Sequence, residues 1–444
     1  MQGFFADAHR RVIAVALVVG VVIVGLVVWL AVRPVPPVAG GDLAQIDSLT
    51  PDIATPPSGW SAPIGVPVTA GSFLQVMDTG VDGIVIGASM DVISAVDLNT
   101  RRTLWSAPGY SYLATLDGGV GVIVSDASEF YYVDLRTGQK TAIGTIPASE
   151  AVYFTDGTMV ISDPTGVNPG DADNYCARKL GGSPDCLWQS WSSRLLGSIP
   201  DVFGGGRWIN TADGIYDIAA GKLASFGASE NLALDADSIV YFAGPADDVA
   251  RITQARDGSN AVVVQAWDTA TDQGRADPVT LTGSINWDSF DGPALLVFDG
   301  ASTSLAAYSW ATGQLAWQSQ VGPVIDYGWS VAYYQNYLEM RWRTENADYT
   351  DGPDQYAILN LQTGQVLWQG ESRYIVAAGQ RVVYAANSET GEVSNPLTAF
   401  DATAAGVPQL WSLPAPAADV TYQGVANHII AVSASAGQLW VLEP

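Results

Sequence analysis

The stretch ILNLQTGQVLW, residues 358–368, decides the fold. An apolar run leads to Asn360, the turn residues Gln362, Thr363 and Gly364 follow, and a second apolar run closes on Trp368. A Thr-Gly pair supplies a turn position with φ > 0, and alternating apolar and polar residues on either side read as two half-buried strands. The phrase recurs as AVDLNTRRTLW (95–105), YVDLRTGQKTAI (132–143, aromatic lost), IYDIAAGKLASF (215–226), AYSWATGQLAW (307–317) and AFDATAAGVPQLW (399–411). QAWDTATDQG, from residue 265, is a weaker copy. Another pair of apolar strands precedes most copies, as in DGIVIGASMDVISAVD before the first and GQRVVYAANSETGEV before the last.

Four strands per unit and a period of tens of residues predict an all-β chain, a β-propeller of about eight four-stranded blades. Seven to nine stay open, because residues 148–226 hold one unit or two. The chain ends HIIAVSASAGQLWVLEP, three strands of a unit without its fourth, while GWSAP at residues 59–63 matches LWSAP at 104–108. Trp60 and its neighbours are therefore expected to complete the last blade, closing the ring and removing free sheet edges.

The phrase resembles the tryptophan-docking repeat of quinoprotein-type propellers, a family of quinone-dependent alcohol dehydrogenases and non-catalytic relatives. The resemblance covers nearly all of residues 57–444. It implies that Trp105, Trp317, Trp368 and Trp411, with Trp60 by the end-matching argument, pack between adjacent blades. It also marks departures from the enzymes. Catalytic members carry two adjacent Cys beside the cofactor, and Cys176 and Cys186 stand ten apart. They hold Ca²⁺ with a Glu, an Asn and a catalytic Asp, and no motif here assigns such a trio. No cofactor is expected, neither pyrroloquinoline quinone nor Ca²⁺, and the chain reads as a non-catalytic member.

Elsewhere the sequence is as informative about location. Val12–Val32 is 21 residues without a charge. At about 1.5 Å per residue it reaches roughly 31 Å, enough to cross a bilayer core. Arg10 and Arg11 precede it and Arg33 follows, which favours a short cytoplasmic tail of residues 1–11 and an uncleaved signal anchor. Residues 33–56 hold five prolines and read as an extended extracytoplasmic linker, with the propeller at 57–444. The chain of 444 residues has 45 acidic against 19 basic residues and a net charge of −26, which excludes nucleic acid as a natural partner. Two Cys in a Gly/Pro-containing loop of an oxidising compartment, Cys176 and Cys186, are expected to form one local disulfide.

Chemistry-bearing constellations are sparse. His428 is the only His of the propeller and reads as the start of a strand, and G-x-S-x-G, H-E-x-x-H and P-loop motifs are absent. Two acidic segments offer oxygens to a hard cation, Asp163, Asp171, Asp173 and Asn174 in one and Glu345, Asp348, Asp351 and Asp354 in the other. Neither keeps a Ca²⁺-loop register, and both read as solvated insertions. Aromatic-rich stretches at 186–196 and 327–343 exceed what blade packing needs and are candidates for an interaction surface. The expectation is a single-pass cell-membrane protein presenting a non-enzymatic, protein-binding propeller outside the cytoplasm, its partner another envelope protein or peptide. A quinone- or Ca²⁺-dependent oxidoreductase and a cell-envelope polysaccharide-binding module are the alternatives. The sequence leaves the oligomeric state open.

Overall fold

The computed structural model describes residues 50–444 apart from short stretches, the longest being 164–173, 192–201 and 225–237. The tail, the apolar run of residues 12–32 and most of the linker lie outside the described residues. No described helix is long and apolar enough to cross a membrane.

The described strands pair into nine antiparallel sheets in chain order, seven of four strands and two of five. Sheets one to eight span residues 75–108, 111–145, 151–191, 202–224, 238–282, 284–320, 330–371 and 373–413, and sheet nine spans 420–443. The count exceeds eight because residues 148–226 hold two units, sheets three and four. Sheet nine is completed by the other end of the chain, where Gly59–Trp60 and Ile64–Gly65 both pair with Gln438–Glu443.

Inner strands such as Ile84–Ser89, Val92–Asp97 and Val382–Asn387 are buried on both faces, so their sheets stack face to face on their neighbours. Val85, Val96 and Leu98 of sheet one form one core with Ile430, Val432 and Leu439 of sheet nine, which joins the two ends of the ring. Leu296, Phe298 and Trp317 of sheet six pack likewise on Leu338, Met340 and Leu359 of sheet seven. The first strands of sheets seven, eight and nine approach one another, as inner strands converging on a common axis must. The chain is an all-β propeller.

The recurring Asp is explained by the turns. Asp134 Oδ1 accepts hydrogen bonds from the backbone N–H of Arg136 (3.1 Å) and Thr137 (2.7 Å) and from the Thr137 hydroxyl (2.7 Å), folding the turn before Gly138. Those bonds, the Thr137 hydroxyl's first, hold the Asp134 carboxyl below its ordinary pKa. Asn360 substitutes without a charge, taking the N–H of Gln362 and Thr363, both at 3.0 Å. The glycines Gly138 and Gly364 then adopt φ of 69° and 68°.

The linker is attached before residue 57. Asp52 Oδ1 accepts the N–H of Arg381 (2.9 Å) and Val382 (2.8 Å), and the Tyr384 hydroxyl, which donates to Pro51 O, accepts from Ile53 N–H. A short strap, residues 51–53, thus lies across sheet eight. Prolines keep it extended, which presents its carbonyls and the Asp52 side chain to the sheet.

Candidate functional site

Three of the repeated tryptophans share one geometry. Trp105 of sheet one donates its indole N–H to Leu135 O of sheet two at 2.9 Å. Trp317 of sheet six donates to Leu361 O of sheet seven at 2.5 Å, and Trp188 of sheet three to Ile218 O of sheet four at 3.4 Å. In the first two the ring lies flat on the turn glycine of the next sheet. A Cβ on Gly138 would come 2.7 Å from Trp105 Cγ, and one on Gly364 would come 2.6 Å from Trp317 Cδ2. Glycine is therefore required there twice over, for its positive φ and for the ring on top of it. Trp188 was legible only as part of the aromatic stretch 186–196; its Leu-Trp pair is the signal that places it with the others.

Trp60 and Trp411 dock differently. A β-bulge where the fourth strand pairs with the third accompanies Trp105, Trp317, Trp368 and Trp411, and the two-residue strand of Trp60 has none. Trp60 stacks on Tyr422 of its own sheet (5.6 Å, 21°) and faces back towards sheet eight, donating to Pro414 O at 2.9 Å. The next turn is left uncovered, and there Arg101 stands at φ 58° where glycine would be, paired with Glu443 at 2.7 Å. Trp411 donates to Ile53 O of the strap at 2.8 Å, so the strap supplies the carbonyl that a turn supplies elsewhere.

Trp368 makes no hydrogen bond to any described residue. The residue after the turn Asp or its stand-in is large, apolar and buried in five sheets: Leu98, Leu135, Ile218, Trp310 and Leu361. In sheet eight it is Ala402, and the turn to Gly406 is one residue longer than that to Gly364. Gly406 has no atom within 4 Å of a would-be Cβ. Sheets seven and eight leave a small pocket beside Trp368, open to solvent on one side.

The cysteines are joined. Cys176 and Cys186 form a disulfide with Cα atoms 5.4 Å apart, tying strand Asn174–Lys179 to the entry of strand Trp188–Trp191, which carries the docking Trp188. Replacing both by serine is expected to cost about 2–3 kcal/mol in urea unfolding, from the lost constraint on the unfolded chain. This pair cannot supply the adjacent-cysteine ring of the quinone enzymes. Among the described residues no three His, Cys, Asp or Glu side chains are placed to hold a metal ion.

Of the acidic segments, Asp171, Asp173, Asp348 and much of both loops lie outside the described residues, and Asp354 is paired with Arg341 at 2.6 Å. Within the stretch 327–343, Tyr337, Leu338, Met340 and Trp342 are buried between sheets. His428 begins strand His428–Ser433, its Nε2 is 3.1 Å from Asn99 Oδ1, and burial holds its pKa below the usual value. Glu339, in the second strand of sheet seven, is 8% exposed and accepts the N–H of Ile375 from sheet eight. Burial pushes its carboxyl up to about 7.

A surface feature stands apart from this packing. Phe73 is 69% and Met90 73% exposed, against a buried Leu74 and Ser72 on either side of Phe73. Thr69 N–H bonds to the Ser89 hydroxyl at 3.2 Å, which fixes the loop carrying Phe73 beside the turn carrying Met90. Leu74 N–H bonds to Ala434 O of sheet nine at 3.0 Å, so the loop is held from below as well. Both side chains leave the sheet at the end where second strands turn into third strands. Both acidic segments are connections of that same kind, joining Thr158–Asp163 to Asn174–Lys179 and Tyr337–Glu345 to Asp351–Asn360.

No family model and no curated protein matches the chain. Among solved structures it is similar to BamB from Moraxella catarrhalis, at 12% identity over 91% of this chain and 100% of that one, TM-score 0.41. It is also similar to a quinohemoprotein alcohol dehydrogenase from Comamonas testosteroni, at 10% identity over 87% and 76% of the two chains, TM-score 0.42. A third likeness is to the WD40 domain of SCAP from fission yeast, at 8% identity over 86% and 98%, TM-score 0.41. The class defined by strand pairing and docked tryptophans is a β-propeller.

Proposed function

We propose that the chain is a membrane-anchored, extracytoplasmic propeller that binds another envelope protein or peptide and catalyses no reaction itself. The observation that carries the reading is the exposed pair Phe73 and Met90, held on a hydrogen-bonded loop at one end of sheet one. Exposed large apolar side chains on a well-ordered scaffold mark an association surface. The anchor is the apolar run of residues 12–32, and the Arg residues before it place the propeller outside.

A photoreactive amino acid at residue 73 or 90 of the full chain, irradiated in native membranes, is expected to capture one and the same protein. The same group at Arg136, exposed at the opposite end of sheet two, is expected to capture none. Equal capture from all three positions, or none from 73 and 90, would count against the surface. A matching titration with pyrroloquinoline quinone and Ca²⁺ is expected to give no saturable heat; one-to-one binding tighter than about 10 µM, roughly 7 kcal/mol, would restore the enzyme reading.

A further inference from the structure

The pocket between sheets seven and eight has walls of one kind and a mouth of another. Ile358, Leu367, Trp368, Val383, Phe400 and Ala402 line it, and Arg373 stands among them. The Arg373 guanidinium carbon lies 5.2 Å from the Trp368 ring centre and 4.9 Å from that of Phe400. Both rings are thus within cation–π range of a planar cation, which stacks on aromatics through its faces and donates hydrogen bonds in its plane. No described carboxylate pairs with it, and no described acceptor takes its N–H groups. Burial also pulls its pKa below the ordinary arginine value, so the charge is held at some cost.

A guanidinium packed against two aromatic rings, with in-plane donors that no described residue takes, is complementary to a flat anion that accepts two parallel bonds, which describes a carboxylate. The apolar walls select the rest of the ligand, since a bare hydrated ion gains nothing from Ile358, Val383 or Phe400. We infer that this pocket binds a carboxylate carried on a compact apolar or aromatic group, paired with Arg373 and seated against Trp368 in the space left by Ala402. The space arises at this turn because Ala402 stands where a large apolar residue fills the corresponding position in five other turns. This inference does not rest on the protein partner proposed above.

The test uses the full chain in phospholipid nanodiscs, with 3-phenylpropionate and octanoate as probes, followed by titration calorimetry. At least one acid is expected to bind one-to-one with a dissociation constant below about 1 mM. Its neutral amide is expected to bind at least tenfold more weakly, as is the acid to Arg373→Met. Ala402→Leu restores the side chain used at other turns and is expected to fold with an unchanged or raised Tm while abolishing binding. A pentapeptide ending in phenylalanine, free or amidated at its terminus, separates the sources: tighter binding by the free-ended peptide assigns the end of a polypeptide, and tighter binding by the small acid assigns a metabolite. Failure of both acids to saturate by 10 mM, equal binding of acid and amide, or full binding to a folded Ala402→Leu variant would overturn the assignment.

Discussion

Replacing Trp317 by alanine is expected to destabilise the propeller by about 4 kcal/mol, whereas the same change at Trp368 is expected to cost about 1–2 kcal/mol. Both residues stand at one position of one repeat, and only their surroundings differ. Trp317 is 0% exposed, bonded to Leu361 O and pressed on Gly364. Its removal empties a closed space and strips a buried carbonyl of its donor. Trp368 is half-buried, makes no hydrogen bond to a described residue and already borders open space. Urea unfolding of the two variants measures the contrast directly. Gly364→Ala tests the same interface from the other side and is expected to cost about 2 kcal/mol or more, from left-handed backbone and collision with the Trp317 ring. Equal losses at Trp317 and Trp368 would show that the pocket closes in solution.

The second large effect is a pH dependence centred on Glu339. Its carboxyl titrates near 4.5 when exposed in the unfolded chain and near 7 in the fold, because burial disfavours the charge. The folded state therefore binds a proton more tightly than the unfolded one. The fold carries no penalty from this group below about pH 4.5, loses stability as pH rises towards 7, and above that bears a cost of up to about 3 kcal/mol. Glu339→Gln keeps an oxygen for the Ile375 N–H and removes the titration. It is expected to match the wild type near pH 4 and to exceed its stability at pH 8. Unfolding free energies of the two proteins across pH 4–8 give the difference, in which the many other carboxylates cancel. A difference that does not change with pH would contradict the assignment.

The repeat and the docked tryptophans were legible in the sequence because their causes are local. An Asp that caps its own turn, a glycine at φ 68–69° and an aromatic a few residues on are all set within one hairpin. What was not legible depends on register or on a neighbour. GWSAP and LWSAP read alike, yet the bulge beside Trp105 and its absence beside Trp60 turn the two rings to opposite neighbours. Glu339 sits in YLEMRWRTE, where alternation suggests a solvent-facing charge; the partner that buries it is a strand more than thirty residues away. Ala402 is unremarkable until five larger side chains are seen at its position. Phe73 and Met90 are separated by seventeen positions, and only the folded loop brings them to one end of sheet one.

Association through that end of the propeller is tested most directly by the mass of the native complex. Membranes extracted in mild detergent would be compared for the wild type and for Phe73→Asp with Met90→Asp, two exposed substitutions expected to leave Tm within a degree or two. The wild type is expected to run above its own 46.7 kDa with a stoichiometric second protein, and the double variant as the lone chain. A wild type that runs alone, or a double variant that keeps its partner, would contradict the central claim.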